Sequence, residues 1–515
     1  MSKVYLLGAG PGDPELITLK AKRLLETADT VVYDYLANPR LLGWCRPDAE
    51  ILYVGKKGGD HTLPQDQIND LLVERARAGK VVARLKGGDP YVFGRGAEEA
   101  EELLEHGIEF EVVPGVTSAV AAPAYAGIPL THRRFASSVS FITGHEDPTK
   151  PESAHDWEAL ARGTSTLVFF MGVKNLPEIT ANLIKAGRPG NTPAALIRWG
   201  TTCRHRSLIS TLGDIAEQSK KQGFKPPSLL VVGEVVSLRD KLNWFEQRPL
   251  LGKGVVVTRS REQASDVVAS LENLGACCHE FPTIAMAPML DHDPIKAAVE
   301  RLNQYDWVVF TSVNGVRMFW DVLETQGLDA RAFAGTRVAA IGPATAQGLA
   351  QRGIAADFIP EKYVAEDIAQ GLLARDVAGK RVLIPRAEQA REVLPEELLR
   401  AGAQVEVLPV YRTLPVTNGA EDLMTSLENG EIQYITFTSS STVTNFFSTI
   451  NPELIQKYRS ALNLVCIGPV TERTLQNHGF QGDIQPKDYT IPAMVAAILD
   501  HAALRDGADQ EVARS

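Results

Sequence analysis

The second half of the chain repeats itself, and the repeat is nearly exact in spacing. Arg259 and Arg386 close similar apolar runs, Val255-VVTRSREQA and Val382-LIPRAEQA. Phe310-TS returns as Phe437-TS, and Ile341-GPATA returns as Ile467-GPVTE. Gly353 and Gly479, then Tyr363 and Tyr489, keep the same interval of 126 or 127 residues. So constant an offset predicts two similar α/β lobes of about 125 residues each, with a ligand held where their strand ends converge.

The rest of the chain obeys the same alternation. Apolar runs such as Val4-YLLGAG, Thr30-VVYD, Val81-VARLKGG, Thr166-LVFFMG and Leu229-LVVGEVV are separated by segments of helical period. Several are apolar on both faces, as parallel strands covered by helices must be. The fold class is therefore α/β. A polar, Pro- and Gly-containing stretch, Arg239-DKLNWFEQRPLLGKG, separates Leu229-LVVGEVVSL from the next strand. It marks a junction, with a first domain over 1–245, a linker over 246–252, a second domain over 253–502 and a polar, frayed tail over 503–515.

A net charge of −10 over 515 residues argues against non-specific nucleic-acid binding, which depends on neutralising phosphates. Local arginine clusters still allow an anionic small ligand. The five cysteines (Cys45, Cys203, Cys277, Cys278, Cys466) contain no CxxC pair and are odd in number. They predict free thiols in a reducing compartment, and a cytoplasmic protein. No apolar run approaches the ~18 residues of a membrane span. There is no metal-spaced His/Cys cluster, so no metal is expected.

The chemistry concentrates in glycine-rich strand ends. Arg84-LKGGDPYVFGRG carries glycines, an Asp-Pro turn and three cations, Arg84, Lys86 and Arg95. Glycines at a strand end suit sharp turns and close approach to a ligand. Gly8-AGPGDP follows the first strand, and Asp34 ends the next. That arrangement is open to a dinucleotide reading, with Asp34 on a ribose. Against it, Pro11 removes an N–H that a phosphate cradle needs.

Taken in order, Gly8-AGPGDPELIT, Val32-YDYL, Val54-GKK, Arg84-LKGGDPYVFGRGAEE and Val113-PGVTSAVAAPAYAGIPLTHR closely resemble the uroporphyrinogen-III C-methyltransferase branch of the tetrapyrrole methylase family. The resemblance covers about residues 1–245. It implies two α/β subdomains with S-adenosylmethionine in the cleft, and methyl transfer to carbons 2 and 7 of uroporphyrinogen III to give precorrin-2. It places Pro11, Gly87, Gly88, Asp89, Val92, Thr117, Ser118, Met171 and Gly200 at the cofactor, with Val92 where the family commonly has Ile. Asp34 resembles the family's proton acceptor and Lys56 its proton donor. The substrate's eight carboxylates call for fork-like partners, for which Arg84 and Arg95 are candidates, with Arg133, Arg134, Arg198 and Arg204 behind them.

The second half lines its strand ends with hydroxyls. Val309-FTSVNGV, Ile341-GPATA, Val410-YRT, Ile435-TFTSSS and Ile467-GPVTERTLQNHGF resemble uroporphyrinogen-III synthase over about residues 253–500. That resemblance implies cyclisation of hydroxymethylbilane with inversion of ring D and loss of water. Tyr411 matches the family's tyrosine, and Thr345, Ser439 and Thr471 match substrate-holding hydroxyls. Ser439 and Thr471 read equally well as helix caps, and Tyr411 as core packing. The whole chain then reads as a bifunctional enzyme ending at precorrin-2, a homodimer through its first half. The alternatives are a methylase acting on a later corrinoid precursor or on RNA, and a second half that binds tetrapyrroles without catalysis.

Overall fold

The computed structural model describes residues 2–55, 63–145, 155–259, 261–363, 365–390, 392–415 and 419–514. It divides into two compact units. One comprises Met1–Gly254 with Ser270–Cys277 and Ala502–Ser515, the other Val255–Ala269 with Cys278–His501. No helix among the described residues is long and apolar enough to cross a membrane.

The first unit opens with β1 (Lys3–Gly8), β2 (Thr30–Tyr33), β3 (Glu50–Tyr53), β4 (Val81–Lys86) and β5 (Phe110–Val113). They form one sheet in the order β3-β2-β4-β1-β5. Every pairing in it is parallel. Val4, Leu6, Val82 and Leu85 are almost wholly buried, as central strands covered on both faces should be. From β1 the chain moves to one side of the sheet, and from β4 it crosses to the other. The crevice beyond the carboxyl ends of β1 and β4 is thus a topological switch point, where open α/β sheets bind ligands.

A second sheet follows, with β6 (Val139–Thr143), β7 (Thr166–Phe170), β8 (Pro193–Arg198), β9 (Arg206–Thr211) and β10 (Ser228–Val232) in the order β6-β7-β10-β8-β9. Only β6 and β7 run parallel; β10 pairs antiparallel with β7 and β8, and β8 with β9. Leu167, Phe169, Leu196 and Leu230 fill its core.

The second unit holds all but the first residue of β11 (Gly254–Val257) and of β12 (Cys277–Glu280), and the whole of β13 (Ile284–Pro288), β14 (Trp307–Phe310), β15 (Arg337–Ala340), β16 (Arg381–Ala387), β17 (Gln404–Pro415), β18 (Tyr434–Phe437) and β19 (Asn463–Cys466). They make two sheets, β12-β11-β18-β19 and β13-β17-β16-β14-β15. Two lobes are present, but they are not the two consecutive stretches that the repeat predicts. β11, from the first copy, pairs parallel with β18 of the second. β16, from the second copy, pairs with β14 of the first. Each lobe is built from the opening of one copy and the close of the other.

Within this exchange the copies keep matching details. Val338 N–H donates to the Asp357 carboxylate and Leu464 N–H to that of Asp483, both at 2.7 Å. A Cβ on Gly342 would lie 3.2 Å from the Tyr363 ring, and one on Gly468 would lie 3.1 Å from that of Tyr489.

The last described helix runs Ile491–Arg514. One further expectation is corrected. Cys203 and Cys277 are not free thiols but a disulfide, with Cα atoms 5.2 Å apart. They lie 74 residues apart in the chain, and no spacing signal announces such a pair. Cys45, Cys278 and Cys466 form no disulfide.

Candidate functional site

A cavity of about 580 Å³ opens in the first unit, lined from the loops after β1, β2 and β4 and by segments of the second sheet. The loops after β1 and β4 are stitched together: Gly10 and Gly88 exchange N–H···O bonds of 3.2 and 2.7 Å. This pairing needs glycine. A Cβ on Gly8 would lie 2.4 Å from the Gly115 Cα, and one on Gly115 would lie 2.2 Å from the Gly88 carbonyl oxygen. Gly88 itself has φ of 68°.

The positions anticipated at a cofactor, Pro11, Gly87, Gly88, Asp89, Val92, Thr117, Ser118, Met171 and Gly200, all line this one cavity. Their parts differ. The Asp89 carboxylate accepts from the N–H groups of Tyr91 and Gly115, at 2.8 and 3.0 Å, so it ties the loop after β4 to the end of β5. Thr117 caps the helix Ser118–Tyr125. Gly200 has no room for a side chain, since a Cβ would meet that of Ala122 at 2.3 Å.

Asp34 sits on the cavity wall. One carboxylate oxygen accepts from Leu36 N–H at 3.1 Å, the other from the Arg84 guanidinium at 3.4 Å. Arg84 is only 3 % exposed and also donates to Glu99, at 3.2 Å. Lys86 donates to the same Glu99 oxygen at 2.6 Å. Burial, then the neighbouring Arg84 charge, pushes the Lys86 amine below its ordinary range, and Glu99 opposes both. Arg84 lines the cavity and is bonded to two carboxylates, those of Asp34 and Glu99. Glu99 escapes sequence reading because Ala97-EEAEELLEHG looks like a solvated helix face, yet it is fully buried. Lys56 lies outside the described residues.

Arg95 lines the cavity and bonds Glu98 at 3.0 Å. Arg133, Arg134, Arg198 and Arg204 are not among the lining residues. Backbone strain gathers here. Among the described residues six non-glycines have positive φ, and four of them, Phe93, Arg95, Met171 and Trp199, line this cavity. A fifth, Thr201, is two residues beyond Trp199 and accepts from Asp13 N–H at 3.0 Å. Such conformations cost about 1 kcal/mol or more each and persist only where surrounding structure imposes them.

In the second unit the anticipated residues fall on strand and helix ends. The Tyr411 hydroxyl, on β17, lies 3.2 Å from that of Ser312. Ser312 caps the helix Val313–Thr325, accepting from Gly315 N–H at 3.0 Å. Ser439 caps Ser440–Thr449 in a reciprocal box with Thr442. Thr345 and Thr471 occupy the third positions of the helices Pro343–Ala350 and Pro469–Asn477 and are buried.

The fold and site define a cavity-bearing α/β unit joined in one chain to a duplicated α/β unit. Residues 3–216 match the tetrapyrrole (corrin/porphyrin) methylases, and residues 265–496 match uroporphyrinogen-III synthase HemD. A porphyrin biosynthesis protein HemD of Ruminiclostridium josui is 38 % identical over 96 % of this chain and 97 % of its own length. An S-adenosyl-L-methionine-dependent uroporphyrinogen III methyltransferase of Methanosarcina barkeri is 54 % identical over 48 % of the chain and 96 % of its own length. A siroheme synthase of Pseudomonas putida is 56 % identical over 47 % of the chain and 52 % of its own length. The chain belongs to the tetrapyrrole methylases through its first half and to the uroporphyrinogen-III synthases through its second.

Proposed function

We propose that the chain is bifunctional. The second unit cyclises hydroxymethylbilane to uroporphyrinogen III, inverting ring D and releasing water. The first unit then methylates carbons 2 and 7, giving precorrin-2. The observation that carries this reading is the convergence of the stitched glycine loops and Asp34 on one cavity.

That cavity suits S-adenosylmethionine. Its volume is that of a drug-sized ligand site, and its glycines let backbone approach closely. Pro11, Gly87, Gly88, Val92, Thr117, Ser118, Met171 and Gly200 would hold the group. When bound, it supplies an activated methyl carried on a sulfonium. The protein's own task is positioning and proton removal. Asp34 accepts the proton that the macrocycle must release once a ring carbon has taken the methyl group, its carboxylate oriented by Leu36 N–H and Arg84. Glu99 and Lys86 hold Arg84 in place from behind. In the synthase unit Tyr411, with Ser312 beside it, assists departure of the bilane hydroxyl as a weak acid. Thr345, Ser439 and Thr471 would hold the substrate. We further propose a cytoplasmic homodimer formed through the methyltransferase half.

Purified chain given hydroxymethylbilane and labelled S-adenosylmethionine should yield labelled precorrin-2. If label enters only when uroporphyrinogen III is supplied, and the bilane closes only to the non-inverted isomer, the synthase assignment fails. If label enters only a later corrinoid precursor, the methyltransferase assignment fails.

A further inference from the structure

Trp199 is the bulkiest side chain among the strained residues of the cavity, with φ of 49°. A β-unbranched aromatic gains nothing from that conformation, and glycine follows it at position 200. The turn is nevertheless firmly built. The Trp199 carbonyl accepts from the N–H of Thr202 at 3.2 Å and from its hydroxyl at 2.9 Å. The methyl of Thr202 in turn faces Gly12, where a Cβ would lie 2.6 Å away. So the loop after β8 is locked against the loop after β1, and the lock presents an indole at the cavity.

Two side chains brace that indole. Tyr35, next to Asp34 and about half exposed, meets it edge to face with ring centres 5.7 Å apart. The Arg204 guanidinium lies over the ring at 4.4 Å. Arg204 is exposed and has no carboxylate partner among the described residues. A guanidinium stacked on an aromatic ring keeps its N–H edge free for a bidentate carboxylate. The pair therefore offers an aromatic surface and, one ring-width away, a carboxylate fork. A pyrrole that carries acid side chains presents the same two features in the same proximity. In a tetrapyrrole joined by saturated one-carbon bridges the rings are not held coplanar, so one ring can be gripped separately from the others.

We propose that Trp199, braced by Tyr35 and Arg204, seats one acid-bearing pyrrole ring of the substrate, and that Arg204 takes a carboxylate of that ring. Trp199 and Arg204 are positioning residues: they set which ring carbon stands before the methyl donor and take no part in the bond changes. Asp34 and Tyr35 are neighbours in sequence, so the same loop brings the brace and the proton acceptor to one ring. The inference rests on the reading of the substrate as uroporphyrinogen III.

The test uses full-length chain and the variants Trp199→Gly, Trp199→Phe and Arg204→Gln. Glycine accepts positive φ readily, so Trp199→Gly removes the ring without adding strain. Two quantities are measured: KM for uroporphyrinogen III in the methylation assay, and the dissociation constant of S-adenosylhomocysteine by calorimetry. Trp199→Gly should raise KM about tenfold or more, the worth of one aromatic stack, with the dissociation constant within about twofold of the parent. Trp199→Phe should recover most of that loss. Arg204→Gln should raise KM about threefold to tenfold and flatten its dependence on salt. An unchanged KM in Trp199→Gly overturns the inference, as does equal weakening of KM and S-adenosylhomocysteine binding, which marks a loop that only holds the fold. If the parent chain itself does not methylate uroporphyrinogen III, the substrate reading falls and takes this inference with it. A parent that is active beside an indifferent Trp199→Gly leaves that reading standing and removes only the brace.

Discussion

In the methyltransferase unit four non-glycine residues with positive φ ring a single cavity, while in the synthase unit Asp376 alone among the described residues has that conformation. The synthase unit places its polar groups differently, as hydroxyls at helix starts, duplicated between two lobes. Ser312 and Ser439 both adopt ordinary extended backbone and cap ordinary helices. The contrast fits the two tasks. A methyl transfer needs reacting atoms aligned within a narrow approach, which a rigid, strained wall can impose. A cyclisation whose intermediate is reactive on its own needs mainly a chain folded to the right shape, for which repeated, unstrained contacts suffice.

Substitutions in each unit test this contrast. The largest effect is expected from Gly115→Ala, whose Cβ collides with backbone at 2.2 Å. Methylation and S-adenosylhomocysteine binding should fall by about a hundredfold or more, with cyclisation untouched. The matched change in the other unit, Gly342→Ala, meets only the Tyr363 ring at 3.2 Å and should alter cyclisation less than about threefold. Equal damage from both would dissolve the contrast. Next, Asp34→Ala should slow methylation about a hundredfold while S-adenosylhomocysteine binds within about twofold of normal. Unchanged turnover removes Asp34 from the mechanism.

A smaller effect lies in the acid stability of the first unit. Burial raises the Glu246 carboxyl, but hydrogen bonds from His205, Arg239 and Ser207 outweigh it and hold the group down at about 2. A carboxyl lowered in the folded state stabilises above its unfolded range near 4.5 and loses that contribution as pH falls toward 2. Glu246→Gln should therefore cost roughly 2 kcal/mol at pH 7 and less as the pH drops through that window, read from denaturant melts of the first unit's signal. A penalty that stays constant from pH 7 to pH 3 contradicts the assignment. A further, more modest loss is expected for Tyr411→Phe, which removes one hydroxyl contact with Ser312. Cyclisation should slow by about tenfold and methylation should not change; normal cyclisation returns Tyr411 to core packing.

Much of this contrast is legible in the sequence, and the omissions have physical causes. The glycine loops announce themselves because only glycine tolerates those turns and contacts. Positive φ at Trp199 or Met171 leaves no such mark, because surrounding structure imposes it on residues that do not favour it. Arg84 reads as a substrate fork because it is a cation near a strand end; that it is buried depends on Glu99, fifteen residues on, in a helix whose other glutamates are solvated. The repeat shows two lobes, but a constant offset is the same whether copies fold side by side or exchange strands. Only the pairing of β11 with β18 and of β16 with β14 distinguishes them.

That exchange sets a timetable for synthesis. The Thr258 hydroxyl at the end of β11 donates to the Thr436 carbonyl, 178 residues away. At roughly 5–20 residues per second, a ribosome needs about ten to forty seconds between delivering one strand and its neighbour. The lobe of β13 to β17 is complete before β18 exists, so it closes while β11 and β12 still wait. The methyltransferase unit's two sheets, made first and from local sequence, impose no such delay. Vectorial production thus yields the last enzyme of the reaction pair early, and the enzyme that feeds it only after β18 and β19 have emerged.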